Sequence, residues 1–113
     1  MDDAFIQDLF SSVGPVTIRK MFGGQGIYVD GTICAAVVDG QLMVKGDDQC
    51  RAIYDEAGMA QWQTENAKTG RVSHMPYWQV PDGALDDPAE FAKWAEAGLH
   101  AALRSKAGKS KKA

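Results

Sequence analysis

The sequence predicts an α+β domain with an antiparallel sheet, in the order α-β(3)-α-β(2)-α. Three observations predict it. Apolar residues recur at helical spacing near both ends and once in the middle; the stretches between them are alternating or wholly apolar; and Asp-Gly dipeptides separate neighbouring runs too closely for a crossover helix. No βαβ unit is present, so a parallel sheet is not expected.

Asp2 or Asp3 can cap a first helix striped by Phe5, Ile6, Leu9 and Phe10, and Gly14-Pro15 stops it. Three strands follow between Val16 and Gly46, turned at Asp30-Gly31 and Asp39-Gly40, dipeptides that supply the positive φ angles of tight hairpins. The first strand is long and bends at its glycines. The second, Ile33 to Val38, is apolar on both faces and belongs at the centre, with Gln41 to Lys45 a half-exposed neighbour. Asp47 then caps a short helix carrying Cys50, Ile53, Tyr54 and Ala57, which ends at Gly58. Residues 61–80 read as a second hairpin, turned around Lys68 to Gly70. Its second strand contains Pro76, which lacks an amide donor and so marks an edge or a bulge. Asp87-Pro-Ala-Glu90 opens the last helix with a cap, a proline at the first helical position and a glutamate at the third. Phe91, Trp94, Ala95, Ala102 and Leu103 stripe it, and the pattern gives out at Arg104.

With 113 residues, 45% of them hydrophobic, the chain holds one core and is expected to divide into a domain at 1–103 and a disordered basic tail at 104–113. Charge is unevenly spread. Five of the twelve basic residues lie in the last ten positions, so residues 1–103 carry seven basic against fifteen acidic side chains, a net of −8. Such a body repels phosphate backbones. Nucleic-acid binding is therefore expected only weakly and through the tail, at Lys106, Lys109, Lys111 and Lys112. An acidic start and the absence of a long apolar run disfavour secretion and membrane insertion, and two cysteines without CxxC spacing suit the reducing cytoplasm.

Chemistry-bearing motifs are few. Phe22-Gly-Gly-Gln-Gly26 beside Arg19 and Lys20 invites a phosphate-loop reading, but no Gly-Lys-Ser/Thr follows and Ile27 to Val29 continues as strand, so the glycines serve a bend, a bulge or a close backbone approach. His74, His100, Cys34 and Cys50 lack metal-ligand spacing, so neither a metal nor a cofactor is expected. No nucleophile turn is found, and no enzymatic activity is assigned. A small-molecule site would require a pocket gathering Arg19, His74 or Tyr28. Tyr77 and Trp78 are expected to pack between sheet and last helix, or in part to face a partner.

The strings Arg19-Lys-Met-Phe-Gly-Gly-Gln-Gly-Ile-Tyr28 and Met75-Pro-Tyr-Trp-Gln-Val-Pro81, with Asp30-Gly31 between them and Asp87-Pro88 after, resemble the N-terminal domain of the TfoX/Sxy family of bacterial competence regulators over residues 3–104. The resemblance implies an α-β(3)-α-β(2)-α fold similar to secretion chaperones. Full-length members of that family act as positive regulators of natural transformation genes, working with the cyclic-AMP receptor protein, and carry a C-terminal helical domain. By the resemblance this chain is expected to be a stand-alone, non-enzymatic regulatory or interaction module with a protein partner, a second copy included. Arg19, Met21, Phe22, Gly23, Gly24, Gly26 and Tyr28 carry over as a signature that shapes a surface or bend, with Arg19 the best candidate for touching the partner.

Overall fold

The computed structural model describes residues 1–21 and 23–112, with side chains as far as Ala107 apart from that of residue 22. Among the described residues the chain forms α1 (Asp3–Leu9), β1 (Thr17–Met21), β2 (Gly24–Val29), β3 (Thr32–Val38), β4 (Gln41–Lys45), α2 (Asp48–Glu56), β5 (Gln61–Glu65), β6 (Val72–Gln79), a 3-10 turn at Asp82–Asp86, and α3 (Pro88–Lys112). The strands make one antiparallel sheet in the order β1-β2-β3-β4-β6-β5. The α+β class is as predicted. The strand count is not: the long first strand is two strands, because Met21 pairs with Gly24 and β1 and β2 run antiparallel, with Gly23 at a φ of +73°. The order is thus α-β(4)-α-β(2)-α.

Both Asp-Gly dipeptides do what their chemistry suggests. Asp30 and Asp39 sit at φ of +50° and +52°, each followed by a glycine in the same region, so two-residue turns join β2 to β3 and β3 to β4. Asp47 caps α2 by accepting from the Gln49 and Cys50 amides, and Asp87 caps α3 by accepting from those of Ala89 and Glu90. Between β5 and β6 the Asn66 carboxamide accepts from the Lys68 and Thr69 amides, and Gly70 at φ +71° closes the turn.

All three helices pack on one face of the sheet. Ile6, Leu9 and Phe10 of the α1 region, Tyr54 of α2, and Phe91, Trp94 and Ala95 of α3 meet Ile27, Val37, Leu42, Val44 and Trp78 in one core. Phe10 and Phe91 meet edge to face at 4.9 Å, and Tyr54 lies 5.4 Å from Trp78 while donating its hydroxyl proton to the Lys45 carbonyl at 2.8 Å. Burial pushes the Tyr54 hydroxyl pKa strongly upward, so it remains a donor.

Several expectations are corrected by the packing. β4 lies between β3 and β6 and is buried at Leu42, Met43 and Val44, so it is not a half-exposed neighbour. β6 is interior. Pro76 is tolerated because pairing with β5 is irregular there, with the register shifting between Gln61 and Gln63. Ile53 and Leu103, placed on inner stripes by spacing, are exposed at 47% and 46%, and Gly98 and Ala101 take up the α3 contact instead. Helix α3 runs from Pro88 to Lys112, and Arg104 on it pairs with Asp47 at 2.7 Å.

Candidate functional site

Adjacent residues in a strand point to opposite faces, so six strands with helices on one side leave a second face to account for. Its residues form a separate cluster: Ala36, Met43 and Tyr77 are buried, with Val38, Trp62 and Met75 half-covered around them. Among the described residues no helical side chain takes part in this cluster. Tyr77 and Trp78 illustrate the division. Alternation sends Trp78 into the helix-side core and Tyr77 to the opposite face, so of the two only Trp78 packs between sheet and helix.

A band of polar and aromatic side chains crosses this open face. The Arg19 guanidinium lies over the Tyr28 ring at 5.6 Å, and the Lys45 ammonium approaches the Tyr77 ring at 6.0 Å. Tyr28 pairs with Ile33 across β2 and β3, Lys45 with Tyr77 across β4 and β6, and Trp62 stands 6.3 Å from Tyr77. Burial is the main cause that raises the Tyr77 hydroxyl pKa, with neighbouring Tyr28 adding to it. The band offers stacked rings and fixed cations, and it is suited to contact.

The glycines beside Arg19 shape this surface. A Cβ on Gly24 would overlap the Val37 carbonyl oxygen, so β2 and β3 need its absence at this end. A Cβ on Gly26 would meet the Met21 sulfur, and the Tyr28 ring and Ile33 would crowd it at 3.2 and 3.3 Å; these three side chains fold over the bare backbone. The two positions should therefore differ on substitution. Gly24→Ala is expected to cost about 1.5 kcal/mol in urea unfolding because its neighbour is backbone. Gly26→Ala, against a flexible thioether, should cost well under half of that while changing the near-ultraviolet circular dichroism of Tyr28.

A family model of the TfoX N-terminal domain matches residues 8–102. The chain belongs to that family. It is also similar to Protein Sxy of Escherichia coli (strain K12), 28% identical over 100 residues that make up 88% of this chain and 47% of that protein. The chain thus spans about half the length of this relative.

Within this TfoX N-terminal domain the signature residues are brought together on one side. Arg19, Met21, Gly26 and Tyr28 share the open face, Gly23 and Gly24 form its corner, and residue 22 lies outside the described residues. Lys20 points to the other face and lines a cavity of about 590 Å³ with Ile18, Val37 and Asp39. Of the tail candidates, Lys106 lines a cleft of about 200 Å³ with Tyr28, Ile33 and Lys45. Lys106 is exposed on α3, and the side chains of Lys109, Lys111 and Lys112 lie outside the described residues. Among the described residues, Arg19 and Tyr28 line a cleft of about 160 Å³ with Thr17 and Gly31, whereas His74 lines another of about 380 Å³ beside Arg51 and Trp78. Among the described residues, no three His, Cys, Asp or Glu side chains come together as a metal site, and no helix is long and apolar enough to cross a membrane.

Trp62 and Lys45 are the site residues that sequence reasoning missed. Their signal was available: each shares strand parity with residues that pair across the open face, but parity alone does not say which face the helices cover. The cysteines lie on the covered side. Desolvation pushes the Cys34 thiol up to about 12, a backbone hydrogen bond offsetting it slightly. In a Cys50→Ser variant the remaining thiol should therefore resist a disulfide reagent at pH 8 and react only after urea unfolding. Rapid labelling of the native variant would show that Cys34 is accessible.

Proposed function

We propose that this chain is a non-enzymatic, cytoplasmic regulatory module of the competence-regulator type, and that it acts by docking a protein partner on the open face of its sheet. One observation carries the reading: the face opposite the helices bears Arg19, Tyr28, Lys45, Tyr77 and Trp62 as a continuous cation-aromatic band over a small apolar cluster. Aromatic and arginine side chains over an apolar centre are the composition of interface anchors. The kinship with Sxy supports a regulatory role. The tail route to nucleic acid is weakened because Arg104, one of its five cations, is committed to Asp47. Four remaining lysines limit the log–log salt slope on duplex DNA to about −3.6.

The test is affinity capture from a bacterial lysate combined with light scattering, using the wild-type chain, a Tyr28→Ser/Trp62→Ser variant and a helix-side Lys93→Ser control. The wild type and control are expected to retain the same protein partner, or a second copy, and the open-face variant to lose it. A strict monomer that retains no protein, or capture indifferent to the open-face changes, overturns the reading.

A further inference from the structure

The sheet has two outer strands, and they are unlike. β5 pairs irregularly with β6 and contains Glu65, whereas β1 pairs with β2 in unbroken register from Thr17 to Met21. Among the described residues β1 has no partner on its outer side in the sheet order, so alternate amides and carbonyls of five regular residues are presented there. Its burial pattern is that of an exposed edge, with Thr17, Arg19 and Lys20 open and Ile18 and Met21 half-buried.

Charge distinguishes this edge further. Of fifteen carboxylates only Glu65 lies in a strand, while Arg19, Lys20 and Lys45 all do; the sheet is the cationic part of an acidic body. Arg19, held over Tyr28, stands on the open side of β1. On the helix side, half-buried Ile18 stands next to Lys20, and both line the cavity of about 590 Å³ with Asp39 and with the Asp3 carboxylate, which accepts from the Gln25 carboxamide at 3.0 Å. A strand laid beside β1 would thus meet the Arg19 cation on the open face and the Ile18 side chain beside Lys20 on the other. A second copy is a poor occupant: antiparallel pairing of β1 along its full length with its own copy sets Arg19 against Arg19, and like charges directly opposite are unfavourable.

We propose that β1 is a docking edge that takes an extended segment of a partner protein as a seventh strand, with carboxylates beside Arg19 on the open face and aliphatic side chains over Ile18 on the other. The inference rests on the reading of the chain as a protein-interaction module and names the chemistry of the segment it binds. Main-chain hydrogen bonds supply affinity in this mode and alternate side chains supply selectivity.

The experiment is amide hydrogen exchange on the full chain with a blocked octapeptide of alternating Glu and Val at low ionic strength. β1 amides should become at least about fivefold slower to exchange, and added salt should reverse this. Arg19→Glu should remove the effect and create one with the alternating Lys and Val peptide, while Lys68→Glu should leave the wild-type response. Unchanged exchange in β3 and β4 verifies that each variant is folded. The inference is overturned by no β1 response at millimolar peptide, by equal responses to the Glu and Lys peptides, by β1 protection in concentrated protein without peptide, or by a larger response to a thymidine dodecamer. If partner capture still depends on Tyr28 and Trp62 while β1 stays unprotected, this inference fails and the interaction reading stands. If capture ignores the open face, the interaction reading itself has failed.

Discussion

Gly98→Val is expected to destabilise the domain by about 3 kcal/mol, a large part of the roughly 5–15 kcal/mol that holds a domain of this size folded. At Gly98 helix α3 crosses the sheet so closely that a Cβ would stand 2.9 Å from the Cys34 carbonyl oxygen and 3.1 and 3.2 Å from the backbone oxygen and nitrogen of Lys45. These are backbone atoms of β3 and β4, and no side-chain rotation relieves them. The Lys45 carbonyl is also fixed by the Tyr54 hydroxyl, so lifting α3 disturbs the α2 contact as well as those of Phe91, Trp94 and Ala95. Gly98→Ala provides a sharper comparison. Alanine improves helix propensity by about 1 kcal/mol, so a net loss with alanine attributes the effect to crowding. Gly83→Ala, where a Cβ meets nothing within 4 Å, is the neutral control. Urea midpoints for the three variants check the order Val, Ala, control; a stable Gly98→Val protein would mean that α3 rides higher on the sheet than described.

What the sequence disclosed, and what it concealed, follows from the range of the interactions involved. Turns and caps are local chemistry, and Asp30-Gly31, Asp39-Gly40, Asp47 and Asp87 were all readable because each acts within three or four residues. The division into β1 and β2 was concealed because glycines serve both a bend within one strand and a turn between two. What decides between them is the non-local pairing of Met21 with Gly24 and of Gly24 with the Val37 backbone, which no local pattern reveals. Ile53 shows the same limit for helices: its spacing is that of a core residue, but α2 buries only Cys50 and Tyr54 because it packs on α3 by a narrow stripe. The candidate site was half visible. Arg19 and Tyr28 stood out through the signature, whereas Lys45 and Trp62 come from distant strands and join them only when β6 inserts between β4 and β5.

Asp47→Ala is expected to cost about 2.5 kcal/mol at neutral pH, because a single carboxylate both caps α2 and ties it to α3. Its Oδ1 accepts from the Gln49 and Cys50 amides, while Arg104 donates from Nε to Oδ2 at 2.7 Å and from a terminal nitrogen to Oδ1 at 2.9 Å. Loss of the cap contributes about 1 kcal/mol, and loss of a two-pronged charge-assisted contact a further 1.5 kcal/mol, the low end of its range because the pair is about one-third exposed. Asp47→Asn separates the two parts, since a carboxamide still caps but carries no charge. The hydrogen bond from Arg104 is the main cause that lowers the Asp47 carboxyl from 3.8 to about 2, against desolvation and with help from the Cys50 thiol and amide. A carboxyl lowered by folding stabilises the native state fully above its unfolded value, and that contribution fades as pH falls through the folded one. The gap between wild type and Asp47→Asn should thus be constant from pH 7 down to about pH 4, shrink between 4 and 2, and vanish below. Arg104→Gln should reproduce the gap at pH 7, and the double variant should lose little more than either alone. Additive losses, or a gap that persists at pH 2, would show that Arg104 and Asp47 act independently and that the junction of α2 with α3 is held by packing alone.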